Sequence, residues 1–129
     1  MKITKEQFPN FFIRNFSDVK DIHQLKKSHC YPPTGYLWMI CQNSFCNYYI
    51  GNEAKKTFDS LDKNGAISIQ FDGMYSENET HPLSDFLDSS YKIDKAKLIE
   101  FYVIDCNLKW CYIVTHEGDN CGPFLIFKN

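Results

Sequence analysis

Residues 99–127 read IEFYVIDCNLKWCYIVTHEGDNCGPFLIF, and this stretch decides the fold. Ile99–Asp105 and Lys109–Thr115 are dense in β-branched and aromatic residues, which suit a pleated, half-buried surface. The short Cys106–Leu108 segment between them predicts an antiparallel hairpin. Phe124–Phe127 predicts a third strand, reached through the Gly118–Gly122 loop. In that loop Asn and Gly supply the backbone freedom that a reversal needs.

Upstream, the pattern alternates between helix and strand. Phe8, Phe11, Phe12 and Phe16 fall at helical spacing and predict a first helix over Glu6–Arg14. Thr4 stands three residues before Gln7, a capping-box spacing, and Pro9 lies near the start, where a missing N–H is tolerated. Ser17 is placed to cap a second helix, Asp18–Ser28, with Val19, Ile22 and Leu25 inward. Its acids lead and Lys26 and Lys27 trail, as the helix dipole favours. Pro32 and Pro33 close that segment. Tyr36–Cys41 reads as a short apolar strand. Gly51–Leu61 reads as a helix with Ala54, Phe58 and Leu61 on one face, followed by an Asn64-Gly65 turn. Ala66–Phe71 alternates Ile67, Ile69 and Phe71 with Ser68 and Gln70, the pattern of a half-buried strand. Asp72–His81 reads as a polar, acidic loop, and Ser84–Ser89 as one helical turn with Phe86 and Leu87 buried. The order predicts an α+β fold in one domain over 1–129. The expected architecture is a mainly antiparallel sheet of about five strands, with the N-terminal helix pair and a further helix packed on one face.

Composition supports a core built from rings. Hydrophobic residues make up 43% of the 129 residues and aromatic residues 16%, and each buried ring removes ~150–250 Å² from water. No stretch approaches the ~18 uncharged apolar residues of a membrane helix. Met1–Glu6 lacks the apolar run of a signal peptide, so a cytoplasmic setting is expected. In a reducing compartment the six cysteines read as buried or incidental thiols. Net charge is −2 and unevenly spread. Residues 1–31 carry six bases and three acids, 32–94 carry four and nine, and 95–129 carry four of each. Nothing is basic enough to neutralise a phosphate backbone, which speaks against nucleic-acid binding.

Few side chains combine into chemistry. Cys41 and Cys46, and Cys106 and Cys111, have four residues between them, with Cys121 and His116 near the second pair. Zinc knuckles aim two thiolates at one point from a tight turn, whereas Cys111 alternates with Trp110 along a predicted strand. No metal is expected, and no cofactor. A small enzyme or metal protein using His116, Glu117 and Cys121 is the alternative. However, His116-Glu117-Gly118-Asp119-Asn120 reads as a turn after a strand, and no cation stands by to activate a thiol. No carboxylate pair sits in a frame that would separate two pKa values, and the phosphate-binding and hydrolase motifs are missing. No catalytic residue is assigned.

Gly35-Tyr36-Leu37-Trp38, Gly51-Asn52-Glu53-Ala54 with Phe58, and Phe101-Tyr102-Val103-Ile104-Asp105 carry a family resemblance. Trp110-Cys111-Tyr112-Ile113-Val114-Thr115-His116-Glu117 and Gly122-Pro123-Phe124 extend it. Together, over about residues 35–127, they resemble the bacterial family designated domain of unknown function 4275. The resemblance implies a fold and no activity. Trp38, Asp105, Trp110, Tyr112, Thr115, His116, Glu117, Gly122 and Pro123 are the family-type positions, read as strand packing and a hydrogen-bonded turn. In size, compartment and acidity such proteins are similar to the immunity proteins that bacteria pair with polymorphic or contact-dependent toxins.

The remaining feature is charge. Asp72 to Asp94 holds six acids and one base, Lys92. A negative surface steers a basic protein partner towards encounter. The expectation is therefore an immunity-type protein that neutralises a basic toxin nuclease. Asp72, Glu77, Glu79, Asp85 and Asp88 supply charge, and Tyr75 and Phe86 supply apolar anchors. The protein is expected to act as a monomer, or as a weak homodimer through an exposed sheet edge, with a generic interaction domain as the other reading.

Overall fold

The computed structural model describes residues 1–19, 23, 25, 36–72, 76–85, 100–115 and 120–128. The predicted hairpin is its spine. Strands β4 (Phe101–Ile104) and β5 (Trp110–Val114) pair antiparallel with Val103 opposite Tyr112, and β6 (Phe124–Phe127) continues the meander with Leu125 opposite Tyr112. Asp105 closes the turn. Its N–H donates to the Trp110 carbonyl at 3.1 Å, and its Oδ2 accepts the Lys109 N–H at 3.0 Å.

Strand β1 (Tyr48–Ile50) flanks β6, β2 (Ile67–Gln70) flanks β4, and the two-residue β3 (His81–Pro82) forms the far edge. The order is β1-β6-β5-β4-β2-β3. All pairings are antiparallel. Among the described residues the sheet has six strands, in keeping with the mainly antiparallel sheet of about five that was expected.

Helix α1 (Phe8–Phe16) starts two residues later than the expected Glu6–Arg14, and the Thr4–Gln7 pair bonds in the turn that leads into it. The Thr4 N–H donates to Gln7 Oε1 at 3.1 Å, and the Gln7 N–H donates to Thr4 Oγ1 at 3.3 Å. This reciprocal bonding satisfies donors that a helix start leaves bare. Phe8, Phe12, Ile13 and Phe16 face inward. Ser17 Oγ accepts the Val19 N–H at 2.9 Å. Most of the expected second helix lies outside the described residues.

Two expectations fail. The run Tyr36–Cys41 is not a strand but a turn leading into a short helix, α2 (Met39–Gln42). Met39, Ile40 and Cys41 donate to the carbonyls of Tyr36, Leu37 and Trp38 at 3.0–3.2 Å. Leu37, Trp38, Ile40 and Cys41 are all buried. Their i, i+1, i+3, i+4 spacing fits a helical turn, and an apolar run buried on every side carries no two-residue alternation.

The helices also do not share one face. Helix α3 (Asn52–Ser60) buries Ala54 and Phe58 against Phe101, Val103, Trp110, Tyr112 and Leu125. Helix α1 packs on the opposite side with Tyr102, Ile104, Cys111, Ile113, Phe124 and Ile126. Successive strand residues point to opposite faces, and here both parities are apolar because both faces are covered. Ser68, expected on an open face, is fully buried beside Val103 for the same reason.

Candidate partner-binding face

The described part of the acidic segment, Asp72 and residues 76–85, lies at the β2–β3 end of the sheet. Gln70 and Glu77 clamp the loop between them. The Glu77 N–H donates to the Gln70 carbonyl at 2.9 Å, and Glu77 Oε1 accepts the Gln70 N–H at 2.7 Å. Glu77 Oε2 lies 3.0 Å from His81 Nε2. Glu77 is therefore half-buried and committed to holding the loop.

Glu79 faces outward. Its carboxylate lies 3.3 Å from Lys2 Nζ, with side-chain exposures of 39% and 79%. An exposed pair like this is worth ~0.2–1 kcal/mol and leaves both charges felt in solvent. The backbone beneath it is pinned to the N-terminal segment. Lys5 N–H donates to the Asn78 carbonyl at 2.8 Å, and Thr80 N–H donates to the Ile3 carbonyl at 2.9 Å. Asp72 is half-buried and its N–H donates to Ser76 Oγ at 3.0 Å. Asp85 is exposed at the end of a 3-10 turn, Leu83–Asp85. Tyr75, Phe86 and Asp88 lie outside the described residues.

Beside this edge opens a cavity of about 580 Å³, lined in part by Lys2, Lys63, Asn64, Ile67, Thr80 and Pro82. Sequence reasoning did not single out Asp59 and Asp62, which are exposed at and just after the end of α3; Asp62 Oδ1 accepts the Asn64 N–H at 2.9 Å. The segment that follows, Lys63 to Ile67 with Gly65 at φ +77°, forms part of the cavity wall. Lys63 Nζ is held by the Asp59 and Leu61 carbonyls at 3.2 and 3.1 Å and sits 4.7 Å over the Phe58 ring.

The family-type positions hold structure. Trp38 stacks on Phe124 at 5.8 Å, Trp110 meets Phe58 edge-on at 5.7 Å, and Tyr112 lies flat against Phe58 at 4.0 Å. Thr115 Oγ1–H donates to the Cys121 carbonyl at 2.5 Å, tying the end of β5 to the approach to β6. Gly122, at φ +101°, precedes a cis bond to Pro123, whose carbonyl accepts the Gly51 N–H at 2.9 Å. His116 and Glu117 lie outside the described residues, so their place beside Cys121 is not described.

Buried titratable groups sit elsewhere. Burial pushes the Cys41 thiol far up, and its contact with Cys46 pushes it further. Burial does the same to Cys111, with Cys46 second, and to Tyr102, with the enclosed Glu100 carboxylate second. Glu100 was not singled out from sequence. It is fully buried at φ +53°, immediately before β4. Among the described residues no three His, Cys, Asp or Glu side chains gather as metal ligands. No described helix is long and apolar enough to cross a membrane.

The sequence that builds the β4–β5 hairpin and the Gly122-Pro123 turn falls within the match of a family model. That model, domain of unknown function (DUF4275), covers residues 2–125. The chain belongs to this family. The DUF4275 match reaches back through α1, beyond the region where individual residues carry the resemblance. Comparison with curated proteins gave no match, and comparison with solved structures gave none.

Proposed function

We propose that this DUF4275 protein is an immunity-type protein of the bacterial cytoplasm, binding and neutralising a cognate, basic toxin domain. The observation that carries the reading is the exposure of Asp85 and the part-exposure of Glu79 on either side of β3, beside an open cavity whose wall includes Lys63, the residue after exposed Asp62. Exposed like charges spaced over one end of a sheet raise the encounter rate with a positive partner. They do so without the desolvation cost that burying a charge pair brings. Asp72 adds to this field, and Glu77 keeps the loop in shape. The cavity offers a recess for an apolar side chain of the partner, the usual form of an interface anchor.

The test requires a candidate toxin domain, sought in the open reading frames that flank this chain's gene in its native genome. Co-expression should protect cells from it. In stopped-flow mixing at low salt, Asp85→Lys combined with Glu79→Lys should slow association by about tenfold or more. Unchanged association and undiminished protection would remove this face from the interface. Failure of the wild-type chain to bind that domain at all would remove the immunity reading itself.

A further inference from the structure

Four of the six cysteines lie buried in the core on the α1 side of the sheet: Cys41, Cys46, Cys111 and Cys121. Cys41 and Cys46 are in contact, with the Cys46 thiol 3.6 Å from the Cys41 sulfur. The backbone between them makes that contact. The Phe45 N–H donates to the Ile40 carbonyl at 2.9 Å, and the Ser44 N–H donates to the Cys41 carbonyl at 3.3 Å. Ser44 adopts φ +62°, which reverses the chain in the left-handed region. Non-glycine residues enter that region at a cost. A loop closed in this way presents both Cβ atoms to the same side before either sulfur is considered.

We propose that Cys41 and Cys46 form a reversible disulfide within the folded protein, produced by a hydroperoxide and reduced again by thiols. A disulfide needs its sulfurs at about 2.05 Å, so the pair must close by roughly 1.5 Å, which side-chain rotation and a small loop adjustment can supply. The accessible sulfur is Cys46, 9% exposed against 1% for Cys41. The Cys46 sulfur attacks one oxygen of the O–O bond and becomes a sulfenic acid, and the other oxygen leaves with the thiol proton as water from hydrogen peroxide, or as an alcohol from an organic hydroperoxide. The Cys41 sulfur then displaces the sulfenic oxygen, which leaves as water with the Cys41 proton. Two thiols lose two electrons in all, and the peroxide gains them. Burial raises the Cys41 thiol, so it must give up its proton as it attacks, and that second step is the slow one. The product buries no new polar group, because a disulfide has no donor to satisfy.

Among the described residues no other pair of thiols is in contact. Cys121 accepts a hydrogen bond from Gln42 Nε2 at 3.2 Å, and Cys106 is exposed at the hairpin turn. The site makes the loop between α2 and β1 sensitive to oxidant, with no dependence on the identity of any partner.

The experiment exposes the native, full-length protein to hydrogen peroxide, alkylates remaining thiols and digests with chymotrypsin. Cleavage after Phe45 places Cys41 and Cys46 on separate peptides. The expected result is a peptide pair joined through these two residues, released by dithiothreitol. The oxidised protein should also melt several degrees higher, an increase that dithiothreitol reverses. Cys106→Ser should leave the link intact and Cys46→Ser should abolish it. Mapping of the wild-type chain alone decides the matter if Cys46→Ser does not fold. Recovery of Cys41 and Cys46 as alkylated thiols while Cys106 is oxidised would overturn the proposal. So would a link to Cys111 or Cys121, or one that forms only in denaturant.

Discussion

The two faces of the sheet can be told apart by thermodynamics. Phe58 is the contact between α3 and the sheet. It stacks flat on Tyr112 at 4.0 Å and 5°, meets Trp110 edge-on at 5.7 Å, and lies under Lys63 Nζ. Phe58→Leu keeps most of the apolar volume and removes the ring geometry. Each aromatic pair is worth about 0.5–1.5 kcal/mol beyond area, and the cation contact adds about 0.5 kcal/mol. The expected loss is therefore about 2 kcal/mol, or a fall of about 8 °C in Tm at ~4 °C per kcal/mol for a chain this size. Phe12 on the other face is fully buried and meets Tyr102 edge-on at 5.3 Å, so Phe12→Leu should cost a similar amount. The sheet stands between the two rings, and sites with no shared partner add to within ~0.5 kcal/mol. The double variant should thus lose about 4 kcal/mol, the sum of the single losses. By contrast, Phe58→Leu with Tyr112→Leu removes one shared stack and should fall short of additivity by about 1 kcal/mol. Urea melts of the single and double variants measure both cycles. Coupling of more than ~1 kcal/mol between Phe12 and Phe58, or strict additivity of Phe58 with Tyr112, would refute the assignment of α1 and α3 to opposite faces.

Stability should fall in alkali. Cys41 and Cys111 are held protonated in the fold, whereas the unfolded thiols ionise near their ordinary value of 9.0. The unfolded state thus binds fewer protons above that pH, so stability drops by about 1.4 kcal/mol per pH unit for each thiol. Below pH 8 this contribution is fully present. Cys111→Ala should lower the slope by about one proton in urea melts between pH 9 and 10.5, and an unchanged slope would refute the linkage. Gly65→Ala places a Cβ 3.2 Å from the Cys106 Cβ at φ +77°, and should cost ~1–2 kcal/mol in thermal melts. A neutral result would mean that the turn relaxes freely away from the hairpin. Ser68 Oγ is fully buried, with no hydrogen-bond partner among the described residues. Ser68→Ala should be neutral or stabilising by up to ~1 kcal/mol, and a loss above 1 kcal/mol would reveal a hidden partner.

Wherever neighbours along the chain settle a structure, the residues were readable. The Thr4–Gln7 cap, the α3 face of Ala54 and Phe58, the Asn64-Gly65 reversal and the β4–β5 hairpin each follow from spacing of a few residues. Interactions at that range need no distant partner. The same holds for the family-type positions, whose pattern of Trp110, Tyr112 and Gly122-Pro123 is carried by one continuous stretch.

Tertiary structure alone decided the rest, because those features depend on what covers a segment. Tyr36–Cys41 is apolar at nearly every position, and only burial among Phe124 and the α1 aromatics makes it a helical turn. The strand beside β6 fell instead to Tyr48–Ile50. Covering both faces of β2 changed Ser68 from a surface residue to a core one. Charge obeys the same rule. Sequence counts Glu77 and Glu79 alike, yet His81 and the Gln70 backbone hold Glu77 to the loop while Glu79 meets Lys2 at the surface. Composition determined that the segment 72–94 is acidic, and the pairing of β2 with β3 decided which of its described carboxylates are exposed.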